Sequence, residues 1–438
     1  MKSLDFSRYV LSCVATAMLA GCGGSQPPIG APGAMRQTSA LVVRSGSTNY
    51  KIVYSFRGGS DGANPGAGLI NVGGTLYGTT VRGGTDSCRD SEGSGCGTVY
   101  SVTRDGAENV LHDFSGGSDG RTPHAGLIDV GSTLYGTTDE GGDSACYPYR
   151  SGYNAKCGTV FSITLSGTEK VLHSFAGDPD GAYPDAGLVD VNGTLYGTTY
   201  LGGSEECYHV TYPFSCGTVF SITTAGNEKV LHSFGGSADA AYEPSGPLLD
   251  VKGTLYGTTI YGGEHGYGTV FSITTGGALK TLHSFGAGSD GRIPYAGLID
   301  VKGTLYGTTS GGGAYSCSTG ETCGTVFSIT LGGREKVLYS FRDRADGARP
   351  ITPLIELNGK LYGTTTFGRQ KSCDYYDRGD GTVFSITLDG TEKVLHYFGA
   401  KGDGAQPRAG LINVNGTLYG TTWYGGTANA GTVFALQP

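Results

Sequence analysis

The chain has 438 residues, 80 of them glycine, a 37% hydrophobic fraction and a formal net charge of −8. So much glycine and so little apolar material exclude large helical cores, while Tyr, Phe and β-branched residues recurring at fixed intervals exclude a disordered linker. No Lys/Arg cluster or basic stripe appears, which excludes the electrostatic footprint of a nucleic-acid binder.

In chain order, Lys2 and Arg8 flank the start of a short apolar run, YVLSCVATAMLA from Tyr9 to Ala20, which is too short to span a bilayer. LAGC at Leu19 to Cys22 closes it and resembles a bacterial lipobox. The resemblance implies a signal peptide over residues 1–21, acylation of Cys22 and tethering to a membrane by acyl chains. An ordinary secretory signal, or an apolar stretch with a chance cysteine, is the alternative. Residues 22–50 are expected to be the lipidated Cys followed by a tether rich in Gly, Pro and Ser.

From residue 51 the chain repeats itself with a period of about 50 to 61 residues. One unit contains EKVLHSF (Glu169 to Phe175), LVDVNGTLYGTT (Leu188 to Thr199), a variable loop and CGTVFSIT (Cys216 to Thr223). Asn192-Gly193 and Asn415-Gly416 supply the positive φ of a type I′ hairpin, and Gly167 marks a second tight turn, so each unit is expected to be two hairpins. The array opens on a lone fourth-strand copy, KIVYSF at Lys51 to Phe56, and ends on a third-strand copy, GTVFALQ at Gly431 to Gln437. The fold class is therefore all-β: a seven-bladed β-propeller of four-stranded blades over residues 51–438, its ring closed by the N-terminal strand. An open β-solenoid would need capping units, which the sequence does not show. Within GTLYGTT, Leu76 and its equivalents are expected to pack between blades, and Gly78 and its equivalents to permit close backbone approach.

The motifs LYGTT..GG, GTVFSIT and EKVLHSF, repeated over nearly all of Lys51 to Pro438, resemble the tandem GloVer-type repeats of bacterial cell-surface proteins that carry varied anchors. The resemblance implies a repeat array on an exported protein and transfers no chemistry to particular residues.

Alternating strand direction sorts the loops: tight turns on one face, and on the other the long second-to-third and fourth-to-first connections, where binding is expected. Cys88 with Cys96, Cys146 with Cys157, Cys207 with Cys216 and Cys317 with Cys323 each bracket one second-to-third loop, and the second member always precedes GTV. Disulfides are the simplest pairing in an exported chain, and the spacing does not suit a metal. Cys373 is left over, with Asp380 at its partner's place. The histidines of VLHSF (His112, His173, His232, His283, His396) are expected to be structural hydrogen-bonding groups, and the Asp of each DG pair in the fourth-to-first loop a turn former.

Aromatics crowd the variable loops: Tyr147, Tyr149 and Tyr153, Tyr208 and Tyr212, Tyr261, Tyr375 and Tyr376, Trp423 and Tyr424. They are either a recognition face or small cores that cover loop backbone. Nucleophile motifs, metal-binding His pairs and phosphate loops are lacking, so no metal, cofactor or catalytic residue is expected. The leading function is a non-catalytic binding or assembly scaffold at the cell envelope, lipid-anchored at the outer membrane or cell surface, with an envelope protein or glycan as partner. The alternative is a glycan-acting hydrolase or lyase that uses carboxylates of the loop face, such as Asp139-Glu140 or Glu205-Glu206. Acids or His gathered at the channel mouth would favour the enzyme, and an open aromatic face the scaffold.

Overall fold

A computed structural model describes residues 49–438 except 86–87, 91–92, 145, 147–155, 205–215, 236–240, 287–288, 318–322, 344–345 and 369–378, and except the side chains of 89–90 and 93–94. The described residues belong to one compact unit, Ser47–Pro438. They form seven antiparallel blades with strands in sequence order from the inner to the outer edge. Blade 3 is representative, with Val189–Val191, Thr194–Thr199, Thr218–Thr223 and Glu228–Ser233. Its inner turn, Asn192-Gly193, has φ of 55° and 83°, the two positive values of a type I′ hairpin.

The ring closes as the strand count requires. Asn49–Ser55 pairs antiparallel with Thr432–Gln437, from Asn49 opposite Gln437 to Ser55 opposite Thr432. It is the outer strand of blade 7, whose other strands come from the C-terminal end of the chain. Closure leaves no blade with an exposed inter-blade face.

Seven hydrophobic clusters, one at each blade interface, hold the ring. Leu76 and its equivalents are fully buried in them, as expected from the repeat. The glycine of TLYGTT has a different reason from the one its sequence suggests. A Cβ on Gly136 would sit 2.7 Å from the ring of Phe161, its cross-strand partner, and 2.8 Å from Leu127. The glycine makes room for an aromatic ring lying over the second strand, not for approaching backbone. Those rings then meet the Phe of the neighbouring blade edge to face, as Phe114 meets Phe161 at 5.2 Å.

Among the described residues, the rim of six interfaces carries a polar clasp that joins two sequence features seven residues apart. His173 Nε2 lies 3.1 Å from Asp180, whose carboxylate also accepts the Ala176 N–H at 2.9 Å. His283 with Asp290, and His396 with Asp403, repeat the pair at 3.0 Å, and Tyr54 and Tyr339 replace the His by donating to Asp61 and Asp346 at 2.5 Å. A Glu from the next blade's outer strand completes the group. Glu108, Glu169, Glu228, Glu335 and Glu392 each bury one carboxylate oxygen without a hydrogen-bond partner. At the closing blade Tyr50 stands in the Glu position, stacked on His396 at 3.7 Å and donating to Asp403.

Candidate functional site

In every fourth-to-first connection a residue with positive φ precedes a proline. These are Asn64, Thr122, Tyr183, Glu243, Ile293, Arg349 and Gln406, with φ between 53° and 60°. Such a backbone is costly for β-branched Thr122 and Ile293, of the order of 1–3 kcal/mol, and persists only where the surroundings over-determine it. Two backbone hydrogen bonds do so. Tyr183 donates its N–H to the carbonyl of Cys157 at 2.9 Å and accepts from the N–H of Tyr200 at 2.9 Å. Thr122, Glu243 and Arg349 likewise donate to Cys96, Cys216 and Cys323. The second cysteine of each couple thus presents the carbonyl that fixes the next blade's pre-proline residue.

This geometry brings the residue after each proline to the axis, together with Tyr183 and Arg349 before it and Asp139, Tyr200, Thr366 and Trp423 after the TLYGTT strands. All seven blades converge there on one cavity of about 880 Å³. Its wall is the backbone of the Ala-Gly-Leu segments, and its mouth carries the variable side chains. Close packing of neighbouring inner segments demands small residues, since a Cβ on Gly246 would lie 2.5 Å from the Gly297 nitrogen.

One side of the mouth is acidic and phenolic. Asp139, Tyr183, Asp185, Tyr200 and Tyr295 line it. Withdrawal from water, with Asp185 and Glu140 close by, holds the Asp139 carboxyl well above the usual carboxylate range, against the pull of Arg121. His124 Nδ1 is 3.7 Å from Asp185. Tyr200 donates to Glu243 at 2.5 Å, and burial raises the Glu243 carboxyl. Burial and the Asp185, Asp139 and Glu243 carboxylates push the Tyr295 phenol upward.

The other side is basic and aromatic. The Arg349 guanidinium lies 5.6 Å from the Phe367 ring centre and that of Arg408 4.4 Å from Trp423. Trp423 is only 5% exposed. It spreads over blade 1, where a Cβ on Gly66 would come within 2.8 Å of its ring, and reaches to 5.9 Å from the His124 ring.

Of the candidate binding-face aromatics, Trp423 lines this cavity. Tyr261 is half-buried and stacks on Tyr242 at 5.5 Å, and Tyr424 is half-buried beside Trp423. Tyr147, Tyr149, Tyr153, Tyr208, Tyr212, Tyr375 and Tyr376 lie outside the described residues, as do Cys22, Cys207, Cys373, Glu205 and Glu206. Disulfides join Cys88 to Cys96, Cys146 to Cys157 and Cys317 to Cys323, and Cys216 is also disulfide-bonded. Of the carboxylates weighed for catalysis, Asp139 lines the cavity, and Glu140 turns to Arg121 in an ion pair.

Sequence reasoning did not single out His124, Asp185, Tyr200, Tyr295, Arg349 or Arg408. The signal was present in the register of the repeats, at the positions beside each proline and, for Tyr200, just after TLYGTT.

Two rim clasps, His173–Asp180–Glu228 and His283–Asp290–Glu335, bring one ligand atom per residue within 4.8 Å of one another and have the donor types of a metal site. Tyr54 and Tyr339 do the same work in other interfaces, so the arrangement is accounted for as an inter-blade clasp.

Residues 33–205, 148–321 and 208–434 match the family described as Gloeobacter/Verrucomicrobia repeat. The chain belongs to that family. No curated protein matches it. Among solved structures it is similar to puromycin hydrolase, at 13% identity and TM-score 0.47, over 83% of this chain and 50% of that one. A puromycin-hydrolyzing peptidase of Mycobacterium tuberculosis gives 11% and 0.44, over 84% and 53%. The gluconolactonase XC5397 of Xanthomonas campestris gives 14% and 0.38, over 64% and 78%. At these values the likenesses carry no argument about activity.

Proposed function

We propose that this repeat propeller is an exported binding module whose ligand sits at the mouth of the central channel, on the face that bears the long loops. One observation carries the reading. At the position after the proline, which lines the cavity in all seven blades, seven different residues stand, Gly, His, Asp, Ser, Tyr, Ile and Arg; the positions before the proline and after TLYGTT, which line it from some of the blades, also differ in every blade. A repeat that holds TVFSIT nearly constant and differs in every blade where side chains meet one cavity has the form of a scaffold built around a single asymmetric site. The lipobox-like LAGC and the disulfides support export, with acylated Cys22 holding the propeller at the cell envelope and an envelope protein or glycan as its ligand.

A second reading, a glycan-acting hydrolase or lyase, is favoured by Asp139. A carboxyl raised well above the usual range by burial, beside a second carboxylate, Asp185, has the make-up of a general acid with a partner base.

The test is to probe the mature chain against a glycan array and an envelope extract, then assay every retained saccharide for cleavage. Binding without turnover supports the module. Turnover that disappears in Asp139→Asn supports the enzyme. Retention unchanged in a Trp423→Ala, Asp185→Asn double variant contradicts the channel-mouth site. Labelling with a clickable fatty acid that is equal in the wild type and Cys22→Ala contradicts the anchor.

A further inference from the structure

The charged groups of the channel mouth are sorted by blade. Blades 2 and 3 bring Asp139 and Asp185 to the cavity, and blades 6 and 7 bring Arg349 and Arg408. Asp139 is held toward its neutral form by burial and its acidic neighbours. Two guanidinium groups thus line the cavity from neighbouring blades, on blades other than those that carry Asp139 and Asp185.

The arginines are also set up to bind in one way. Each lies against an aromatic ring, Arg349 on Phe367 and Arg408 on Trp423. A guanidinium held over a ring still presents its planar fork of N–H donors, the geometry that meets a carboxylate with two parallel hydrogen bonds. Arg408 gives one donor to Gln406 at 3.3 Å, which fixes its orientation further. The opposite side offers the Asp185 carboxylate, the His124 ring and the phenols of Tyr183 and Tyr295, the acceptors and donors that satisfy sugar hydroxyls.

Resting on the channel-mouth reading, we propose that the cavity selects a polyhydroxylated carboxylate: a sugar acid, free or as a uronate unit of an acidic glycan. Its carboxylate sits on Arg349 and Arg408 and its hydroxyls on the Asp185, His124 and tyrosine side. A volume of about 880 Å³ lies within the range of small-ligand sites.

Calorimetry of the mature chain with galacturonic acid, trigalacturonate and the methyl ester of trigalacturonate tests the proposal. The ester keeps the size and hydroxyls and loses the charge. The acid is expected to bind at least about ten-fold more tightly than the ester, and Arg349→Gln or Arg408→Gln to remove most of that difference, as loss of a charge-assisted hydrogen bond does. Added salt is expected to weaken binding of the acid and not of the ester, a measurement on the wild type that holds even where a variant fails to fold. Monomer binding as tight as trimer binding identifies a free sugar acid, and preference for the trimer identifies an acidic polymer. Equal binding of acid and ester overturns the proposal and leaves the channel-mouth reading in place. Failure of every saccharide, on the array as well as here, overturns both.

Discussion

At the outer rim, five blade interfaces repeat one arrangement, an aromatic donor or His on an Asp with a Glu brought in from the next blade. At the channel mouth, no residue type recurs at any of the three bordering positions. Both regions gather buried acids, and both raise carboxyl groups above their usual range. The difference lies in symmetry. A group needed wherever two blades meet is copied with the blade, whereas a group needed once, for one ligand on the axis, must break the copy. Perturbed acidity alone would rank the two regions together, and comparison between blades separates them.

The largest expected effect comes from opening the ring. Deleting residues 49–56 removes Phe56 and Ile52 from their clusters, about 1.5–3 kcal/mol for each buried side chain, and takes the Tyr50 clasp away from Asp403. It also bares the Thr432–Gln437 strand as a sheet edge. Aggregation, or a melting temperature lower by about 10 °C or more, is expected by calorimetry and light scattering. A variant shortened only to residue 45 should melt with the wild type. Equal melting of the two truncated chains would break the closure account.

A smaller effect belongs to the rim alone. Burial and the facing Asp61, Asp180, Asp290 and Asp346 push the carboxyls of Glu108, Glu228, Glu335 and Glu392 up to about 7. These groups bind their protons more tightly folded than unfolded, so their contribution is complete below the ordinary Glu value and is lost as pH rises through about 7. Asp119 and Asp403 act in the opposite sense: against burial, the nearby His112 and the Ser115 bonds lower the Asp119 carboxyl, and the His396 and Tyr50 bonds lower that of Asp403, and that stability is lost as pH falls. Melting temperature is therefore expected to peak in mildly acid solution and to fall toward pH 8. Replacing all four glutamates with Gln should flatten the upper limb. An unchanged limb would show that the clasps hold no protons.

The ring was legible because its evidence is periodic. Asn-Gly pairs, strand copies and the odd strand at each end give the hairpins, the blade count and the closure without any knowledge of contacts. The paired roles at the rim were only half legible: His173 and Asp180 were each recognisable as structural, but their union, with Glu228 arriving from the next blade, depends on a packing angle that sequence spacing does not contain. The glycine of TLYGTT was placed correctly and explained wrongly, because the ring of Phe161 that crosses Gly136 belongs to another strand. The channel mouth was least legible. Arg349, Asp185 and Tyr295 stand in variable positions beside prolines, where a reader of repeats sees noise, and they become a site only when the axis brings separate blades together.

One matched pair of substitutions weighs the central claim. Asp180→Asn acts on the rim and Asp185→Asn on the mouth, five residues away on the same connection. Melting temperature and affinity for the saccharide retained from the array are measured together on both. Asp180→Asn is expected to cost about 1–3 kcal/mol of stability by weakening the bonds to His173 and the Ala176 N–H, with affinity unchanged. Asp185→Asn is expected to stay within about 1 kcal/mol of wild-type stability and to lose about ten-fold or more in affinity. Loss of affinity in the rim variant, or full affinity in the mouth variant, would contradict the division between a copied scaffold and a single axial site.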